Sequence, residues 1–293
     1  MARFLTQLSL ISVLIAMATS IPQGSAQSYK CSFIYMVCGN SASNTLSGTH
    51  NTDWMFGWGG NDTLRSSSKW DYINGGEGDD TVSYANSPSR VIVSLKPDER
   101  GIGGYAEGDY LRSIEGIDGS NYSDILEGGS DYSDIWGGLG NDYIFAGPGG
   151  GAFHGGDGND IIYSHSTTDT SETVEVSGGE GDDRIIVRGG YVRAKGGGGK
   201  NIFIITRDVE EVKIELTNRE AGINKIDLSA WPEIRNLDDL ETKWGLLIYK
   251  RIGLAFYELT IDYYARQSMI IEKDMNKIDG GELTPDDFIF ASP

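Results

Sequence analysis

The fold is decided by residues 39–83, which read GNSASNTLS GTHNTDWMF GWGGNDTLR SSSKWDYIN GGEGDDTVS when they are divided into five consecutive nonapeptides. In every unit the sixth residue is Asn or Asp, and these residues are Asn44, Asp53, Asp62, Asp71 and Asp80. In every unit the eighth residue is apolar, and these residues are Leu46, Met55, Leu64, Ile73 and Val82. A fixed period with a polar and an apolar residue in phase is typical of a repeat protein whose stacked turns share one core.

The rhythm is interrupted at residues 84–118, where a β-branched segment, VIVSL at 91–95, predicts an insertion within a stack of strands. It returns downstream in units that keep the acid, namely 119–127 with Asp124, 137–145 with Asp142, 155–163 with Asp160 and 178–186 with Asp183. Two further units are irregular. We place Gly128 as one extra residue before a short unit, 129–136, with Asp134 sixth and Trp136 inward, whereas Gly151 replaces the acid of 146–154.

Residues 187–204 are two decayed copies, and beyond residue 204 the glycine density falls. Residues 205–293 contain strand patterns at 246–249, 254–261 and 269–271 and a helical pattern at 237–244. Because a solenoid exposes its last apolar layer, we expect this region to cap the stack.

The chain of 293 residues has a formal net charge of −19. This charge argues against nucleic acids and anionic lipids as partners, because both would be repelled. Acidity alone is common in soluble proteins, but acids placed at every ninth residue indicate a protein that collects cations.

The first 26 residues read as a secretory signal, with Arg3, an apolar stretch at 8–18 and small residues before Gln27. No other segment approaches the length of a membrane span, so we expect a secreted, extracellular protein with no span after cleavage. The two cysteines, Cys31 and Cys38, then lie in an oxidising compartment, where we expect a disulfide bond.

Four complete units, 75–83, 137–145, 155–163 and 178–186, fit the calcium-binding pattern G-G-x-G-x-D-x-U-x. Glycines let the turn adopt conformations that bring carbonyl oxygens together, and the sixth-place carboxylate adds a hard, charged oxygen. One turn supplies too few ligands for Ca²⁺, which takes about six to eight oxygens, so turns two units apart must share an ion. Magnesium is disfavoured because it dehydrates reluctantly.

This pairing places Asn44, Asp62 and Asp80 on one edge, with Asp53 and Asp71 on the other. Downstream it groups Asp124, Asp142 and Asp160, and sets Asp134 opposite Gly151. We expect the strongest site between 137–142 and 155–160. Sites at Asn44 and at unit 66–74 should be weak or empty, because Asn44 lacks a charge and Ser66, Ser67 and Lys69 replace glycines. The predicted metal-binding residues are Gly57, Gly60, Asp62, Gly75, Gly78, Asp80, Asp53, Asp71, Asp109, Asp124, Asp134, Gly137, Gly140, Asp142, Gly155, Gly158, Asp160, Gly178, Gly181 and Asp183.

The repeats resemble those of RTX, or haemolysin-type calcium-binding, proteins. Residues 107–115 (EGDYLRSIE) resemble the segment between repeat blocks in serralysin-like domains and mannuronan epimerase R-modules, and 225–229 (KIDLS) and 286–290 (DDFIF) resemble their closing segment. The resemblance implies an all-β fold, a right-handed parallel β-roll holding several Ca²⁺ ions in its turns. The predicted organisation is a signal peptide at 1–26, a β-roll at 27–204 with repeat blocks 39–83, 119–163 and 178–204 around the insertion 84–118, and a β-rich cap at 205–293.

Nothing in the sequence indicates a catalytic centre. None of His50, His154 and His165 lies in a His-Glu-x-x-His zinc motif, and neither a G-x-S-x-G elbow nor a P-loop occurs. We therefore predict a secreted calcium-binding β-roll that folds on binding Ca²⁺ outside the cell, as a structural or binding module without a catalytic domain. Two alternatives stay open: a carbohydrate-active enzyme or accessory module acting on an acidic polysaccharide, and an extracellular matrix or adhesion component. Besides calcium, the candidate partners are thus an extracellular polysaccharide or a surface protein.

Overall fold

Short strands separated by tight turns make up the described chain. The structure, a computed structural model, describes residues 35–164, 173–188, 191–206, 211–216, 224–231, 235, 247–250, 256–263, 267–274 and 288–289. The only helical element among these residues is a single 3-10 turn, Gly104–Ala106. None of the described segments is a helix of the length and hydropathy needed to cross a membrane.

Within the described residues, the strands form three sheets, which we name A, B and C. Sheet A has four strands, β1 (Met36–Cys38), β3 (Trp54–Gly59), β5 (Tyr72–Glu77) and β8 (Tyr110–Arg112). Sheet B has twelve, in the order β2 (Thr45–Ser47), β4 (Thr63–Arg65), β6 (Thr81–Ser83), β9 (Gly116–Asp118), β11 (Ser133–Leu139), β13 (Gly151–Asp157), β15 (Thr173–Glu180), β17 (Tyr191–Gly197), β19 (Glu211–Leu216), β23 (Gln267–Asp274), β22 (Phe256–Tyr263) and β21 (Leu247–Lys250). Sheet C has eight, in the order β7 (Ile92–Ser94), β10 (Ile125–Glu127), β12 (Tyr143–Phe145), β14 (Ile161–Ser164), β16 (Arg184–Val187), β18 (Ile202–Ile205), β20 (Lys225–Asp227) and β24 (Phe288–Ile289).

Neighbouring strands within the repeats are parallel and two nonapeptides apart in sequence. Trp54 pairs with Tyr72 in sheet A, and Tyr143 pairs with Ile161 in sheet C. Alternate units therefore lie on opposite sides of the molecule, and the chain winds from one sheet to the other and back. The predicted all-β parallel β-roll is confirmed.

The core is a column of the eighth residues of the units. The largest fully buried side chains include Tyr84, which follows unit 75–83, and eleven eighth residues: Phe153, Phe203, Met55, Leu64, Ile73, Ile117, Leu126, Ile135, Ile144, Ile162 and Ile185. Burying one such side chain per turn is what holds a stack of short strands together, because each strand is too short to be stable alone.

The predicted phase of residues 128–136 was wrong by one residue. Ile135 is fully buried and Trp136 is 50% exposed, so Gly128 begins a regular nonapeptide whose sixth residue is Ser133. The Ser133 hydroxyl accepts a hydrogen bond from the Gly129 nitrogen at 3.1 Å, just as Oδ2 of the sixth-place Asp124 accepts one from the Ser120 nitrogen at 2.6 Å. A serine can therefore close the turn as an aspartate does, and no extra residue is needed.

Residues 84–118 change the partner of sheet B. Within this segment β8 ends sheet A, β7 begins sheet C and β9 continues sheet B. Sheet B consequently faces sheet A in the first repeat block and sheet C afterwards.

Beyond residue 204 the two remaining sheets continue. Strands β19, β20, β23 and β24 add parallel neighbours, and β22 and β21, each antiparallel to the strand before it, end sheet B. The helical pattern predicted at 237–244 lies outside the described residues.

Candidate metal centres

Sixth-place side chains are stacked in rows along the edges of the roll. In the first row, Oδ1 of Asp62 accepts the Asn44 N–H and Oδ1 of Asp80 accepts the Asp62 N–H, both at 2.7 Å. Glu115 then continues the row, since its Oε2 accepts the Asp80 N–H at 2.9 Å. This is the grouping of Asn44, Asp62 and Asp80 that their 18-residue spacing predicts.

The second row lies on the other edge of the first block. Oδ1 of Asp71 accepts the Asp53 N–H at 2.8 Å, and Oδ1 of Asp109 accepts the Asp71 N–H at 2.7 Å. Asp109 is fully buried although it lies in the insertion, which shows that the insertion supplies one more turn to this edge.

The third row runs through the second and third blocks. Its hydrogen bonds, each from a backbone N–H to a side-chain oxygen, join Val91 to Asp124 (2.7 Å), Asp124 to Asp142 (2.7 Å), Asp142 to Asp160 (2.8 Å), Asp160 to Asp183 (3.0 Å), Asp183 to Asn201 (2.8 Å) and Asn201 to Asn224 (3.0 Å). Within the described residues, the row thus holds four aspartates in succession, followed by two neutral amides.

Among the described residues, five buried aspartates each have one carboxylate oxygen without a hydrogen-bond partner. These atoms are the Oδ2 atoms of Asp62, Asp80, Asp142, Asp160 and Asp183. An orphaned carboxylate oxygen in a protein interior costs free energy unless a cation or donor neutralises it. All five belong to the first and third rows.

Each orphaned oxygen faces the first glycine of its own nonapeptide. A Cβ added at this glycine would overlap the Oδ2 atom of its own unit and also a backbone carbonyl oxygen. The pairs of glycine and carbonyl residue are Gly57 with Gly75, Gly75 with Ser113, Gly137 with Gly155, Gly155 with Gly178, and Gly178 with Gly196. A carboxylate oxygen from one turn and a carbonyl oxygen from the next turn on that edge therefore converge beside every one of these glycines.

The other glycines of the motif are required by backbone conformation. The fourth residues Gly60, Gly78, Gly140, Gly158 and Gly181 have φ between 86° and 141°. Other residues rarely adopt these angles. Three side chains do occupy glycine places with positive φ: Trp58, a second residue, at 79°, and the fourth residues Lys69 and Ser113, at 98° and 46°.

The acids of the third row are close enough to disturb each other's ionisation. The pKa of Asp142 is raised to about 7. Burial is the largest cause, and the negative charges of Asp160 and Asp124 also raise it. Burial likewise raises the pKa of Asp160 to about 6 and that of Asp183 to about 7. Buried carboxylates that resist ionisation are expected where a cation normally compensates their charge.

The donor set fits Ca²⁺. All the converging atoms are hard oxygens, which calcium prefers. Among the described residues no three His, Cys, Asp or Glu side chains converge into a site of their own. Carbonyl oxygens must therefore supply the remaining ligands, as expected for ions held in backbone turns.

The predicted site residues separate into distinct environments. Asp62, Asp80, Asp142, Asp160 and Asp183 carry the orphaned oxygens, whereas the Oδ2 atoms of Asp53, Asp71, Asp109 and Asp124 have protein donors. Asp134 joins no row, because it is exposed on strand β11.

Glu115, Ser133, Asn201 and Asn224 occupy the sixth place in their turns and were not predicted. Each precedes a fully buried residue by two positions: Ile117, Ile135, Phe203 and Ile226. That spacing was the available signal, and the absence of aspartate hid it.

The comparison with known families agrees with this geometry. The sequence model of the RTX calcium-binding nonapeptide repeat, which describes four copies, matches residues 39–68, 70–85, 118–151, 153–170 and 177–204. The matched residues include all five aspartates with an orphaned oxygen. A search of curated proteins found no relative of the chain. The matched segments within residues 39–204 are therefore RTX calcium-binding nonapeptide repeats.

Proposed function

We propose that the chain is a secreted protein whose β-roll binds several calcium ions and completes its folding as it binds them. The observation that carries this proposal is the set of five orphaned carboxylate oxygens, each beside a glycine and a carbonyl oxygen. Bound calcium would provide the positive charge that these buried oxygens lack.

The folding step follows from electrostatics. With a net charge of −19 and aspartates stacked along the turns, the chain repels itself when no cation is bound. The calcium ligands come together only when the turns stack, so the free energy of binding contributes directly to folding. We infer that the chain is loosely folded at low calcium and compact at the millimolar calcium typical of extracellular modules.

Export and the N-terminal disulfide are part of the same proposal. The apolar signal at 1–26 supports secretion, although it lies outside the described residues. Cys38 ends strand β1, and no described cysteine is a free thiol. A Cys31–Cys38 bond, with Cys31 outside the described residues, would tie the N-terminal segment to the first turn. The proposed organisation keeps a β-roll at 27–204 and a capping region at 205–293, acting as a structural or binding module without a catalytic domain.

Circular dichroism of the full chain, with calcium titrated from a chelator-buffered solution, tests the proposal. We expect β-sheet signal to grow with calcium and to saturate, while magnesium at the same concentrations has little effect. A spectrum that does not respond to calcium would contradict it.

A second candidate function, binding of a glycan, is favoured by the outer face of sheet B. Trp136 is half exposed, and its ring stacks on His154 with centroids 3.9 Å apart. Its strand neighbour on the other side is Asp118, so the register of the sheet places an aspartate and not a second aromatic residue opposite it. An aromatic face beside polar groups suits a sugar ring. Burial is the main cause that raises the pKa of Asp118, and the negative charge of the nearby Asp134 raises it further. Because two carboxyl groups here would repel a polyuronate, we propose a neutral glycan.

A further inference from the structure

The first and second rows of the N-terminal block look alike in sequence but differ at one atom. In both rows Oδ1 of each aspartate after the first turn, Asp62 and Asp80 in one and Asp71 and Asp109 in the other, accepts the N–H of the preceding turn at 2.7 to 2.8 Å. Their Oδ2 atoms differ: those of Asp62 and Asp80 are orphaned, whereas those of the second row meet hydroxyl groups.

Three side chains supply these hydroxyls. Thr49 donates its N–H to Asp53 Oδ2 at 2.6 Å and holds its hydroxyl 3.0 Å from the same oxygen. The Ser66 hydroxyl lies 2.7 Å from Asp109 Oδ2 and 3.3 Å from Asp71 Oδ2. The fully buried Tyr84 places its hydroxyl 3.2 Å from Asp109 Oδ2.

Ser66 stands where the first row has glycine. It is the first residue of its nonapeptide, and the equivalent residues of the first row are Gly57 and Gly75. Beside those glycines the orphaned oxygen and a carbonyl oxygen converge on space that no side chain fills. Beside Asp71 that space contains the Ser66 side chain, which is itself buried and also lies 3.2 Å from the Tyr105 carbonyl oxygen.

We propose that the hydroxyls of Thr49, Ser66 and Tyr84 take the place of calcium on the Asp53–Asp71–Asp109 edge, so that the N-terminal block binds calcium only along the Asp62–Asp80 edge. This inference rests on the proposed calcium binding and specifies where it occurs. Thr49, Ser66 and Tyr84 are then the residues that decide which edge accepts the ion. The second row is a hydrogen-bonded spine that forms without metal.

The test is to count bound calcium by equilibrium dialysis of the full chain and of two isosteric variants, Asp80→Asn and Asp71→Asn. We expect Asp80→Asn to bind about one calcium ion fewer than the unmodified chain, because it removes a charged ligand. Asp71→Asn should bind the same number, and an equal loss in this variant overturns the inference. An unmodified chain that binds no calcium overturns the proposed function instead, so the two failures are distinct.

A second variant covers the case in which Asp71→Asn does not fold at saturating calcium. Ser66→Ala keeps all three carboxylates and removes only the hydroxyl that two of them share. We expect its calcium count not to fall below that of the unmodified chain. If the Ser66 oxygen is a calcium ligand, the count falls, and the hydroxyl edge is then a calcium edge after all.

Discussion

The backbone nitrogen of Asp142 donates a hydrogen bond to Oδ1 of Asp160 at 2.8 Å, and Oδ2 of each of these two aspartates has no partner. One carboxylate thus has two separate tasks, because one oxygen fixes the register of the turn and the other is left for an ion. The division explains why the spacing of 18 residues is so regular in this part of the chain. It also suggests how the two tasks can be separated by experiment.

Replacing both Asp142 and Asp160 with Ala should weaken calcium-induced folding more than Asp71→Ala does. All three changes remove an acceptor for a backbone N–H, which costs about 1–3 kcal/mol each when the donor is buried. Only the first pair also removes orphaned oxygens. The calcium concentration at half-maximal folding, read by circular dichroism, should rise for the pair and for Asp71→Ala. Expressed as a free energy, the rise for the pair should be well beyond twice the rise for Asp71→Ala. Per-residue effects of equal size would show that the orphaned oxygens do not bind the ion.

Gly57→Ala and Gly59→Ala form a matched pair within strand β3. A Cβ at Gly57 overlaps Asp62 Oδ2 and the Gly75 carbonyl oxygen, whereas the nearest atoms to a Cβ at Gly59 are 3.8 Å away. We expect Gly57→Ala to lower the free energy of unfolding by about 2 kcal/mol or more and Gly59→Ala to change it by less than about 1 kcal/mol. Denaturant unfolding at saturating calcium measures both, and equal losses would contradict the proposed close packing at Gly57.

Lys69→Gly should stabilise the protein. Lys69 holds φ at 98°, which costs a residue with a side chain roughly 1–3 kcal/mol and costs glycine little. After the greater entropy of the unfolded glycine chain is subtracted, a gain of about 1 kcal/mol is expected. Lys200→Gly is the control, because Lys200 is exposed, lies between Gly199 and Asn201, and is not among the residues with positive φ. That variant should lose stability, and a loss in both would show that φ at Lys69 is not strained.

Calcium affinity should fall in acid. Burial raises the pKa of Asp142 and Asp183 to about 7 and that of Asp160 to about 6 in the calcium-free fold. Because these acids bind protons more firmly in the fold than in the unfolded chain, their contribution to the stability of the calcium-free fold is complete only below their ordinary pKa of 3.8. It is lost progressively as pH rises to about 6 to 7. Calcium must displace these protons when it binds. Below these pKa values, each displaced proton should therefore raise the half-saturating calcium concentration by up to roughly tenfold for every unit by which the pH falls. Calorimetric titrations at pH 8 and pH 5.5 with constant ionic strength check this, and equal affinities would contradict it.

Trp136→Ala should weaken the binding of a neutral glucan if the outer face of sheet B is a glycan site. Loss of a stacking aromatic face should reduce affinity by about tenfold or more. Trp70→Ala is the matched control, since Trp70 is 46% exposed and lies outside sheet B. Affinity electrophoresis in gels containing a soluble neutral glucan or a polyuronate provides the measurement. Retardation by the polyuronate alone, or an effect of equal size for both tryptophans, would count against the neutral-glycan site.

Much of the roll can be predicted from the sequence because its determinants are local. The residue two positions before each buried apolar side chain turns its oxygen into the turn, and Asp53, Asp62, Asp71 and Asp80 are all buried as this rule requires. The assignment of Asp134 as a sixth residue was wrong because Asp134 is an acid adjacent to the true sixth residue, Ser133. Here the burial of Ile135, and not the identity of the polar residue, fixes the phase.

The sequence by itself determined the nonapeptide period, the buried column and the calcium chemistry, because glycine conformations and carboxylate spacing act within a few residues of each other. Only the tertiary structure decided which of these carboxylates find a donor inside the protein. Ser66 and Asp109 are 43 residues apart, and Tyr84 and Asp109 are 25 apart, yet their side chains meet in the interior. A hydrogen bond between residues so distant in sequence depends on how the insertion folds back onto sheet A, which no repeat pattern encodes. The equivalence of the rows along 39–83 is therefore a property of the sequence, and the difference between them arises from packing.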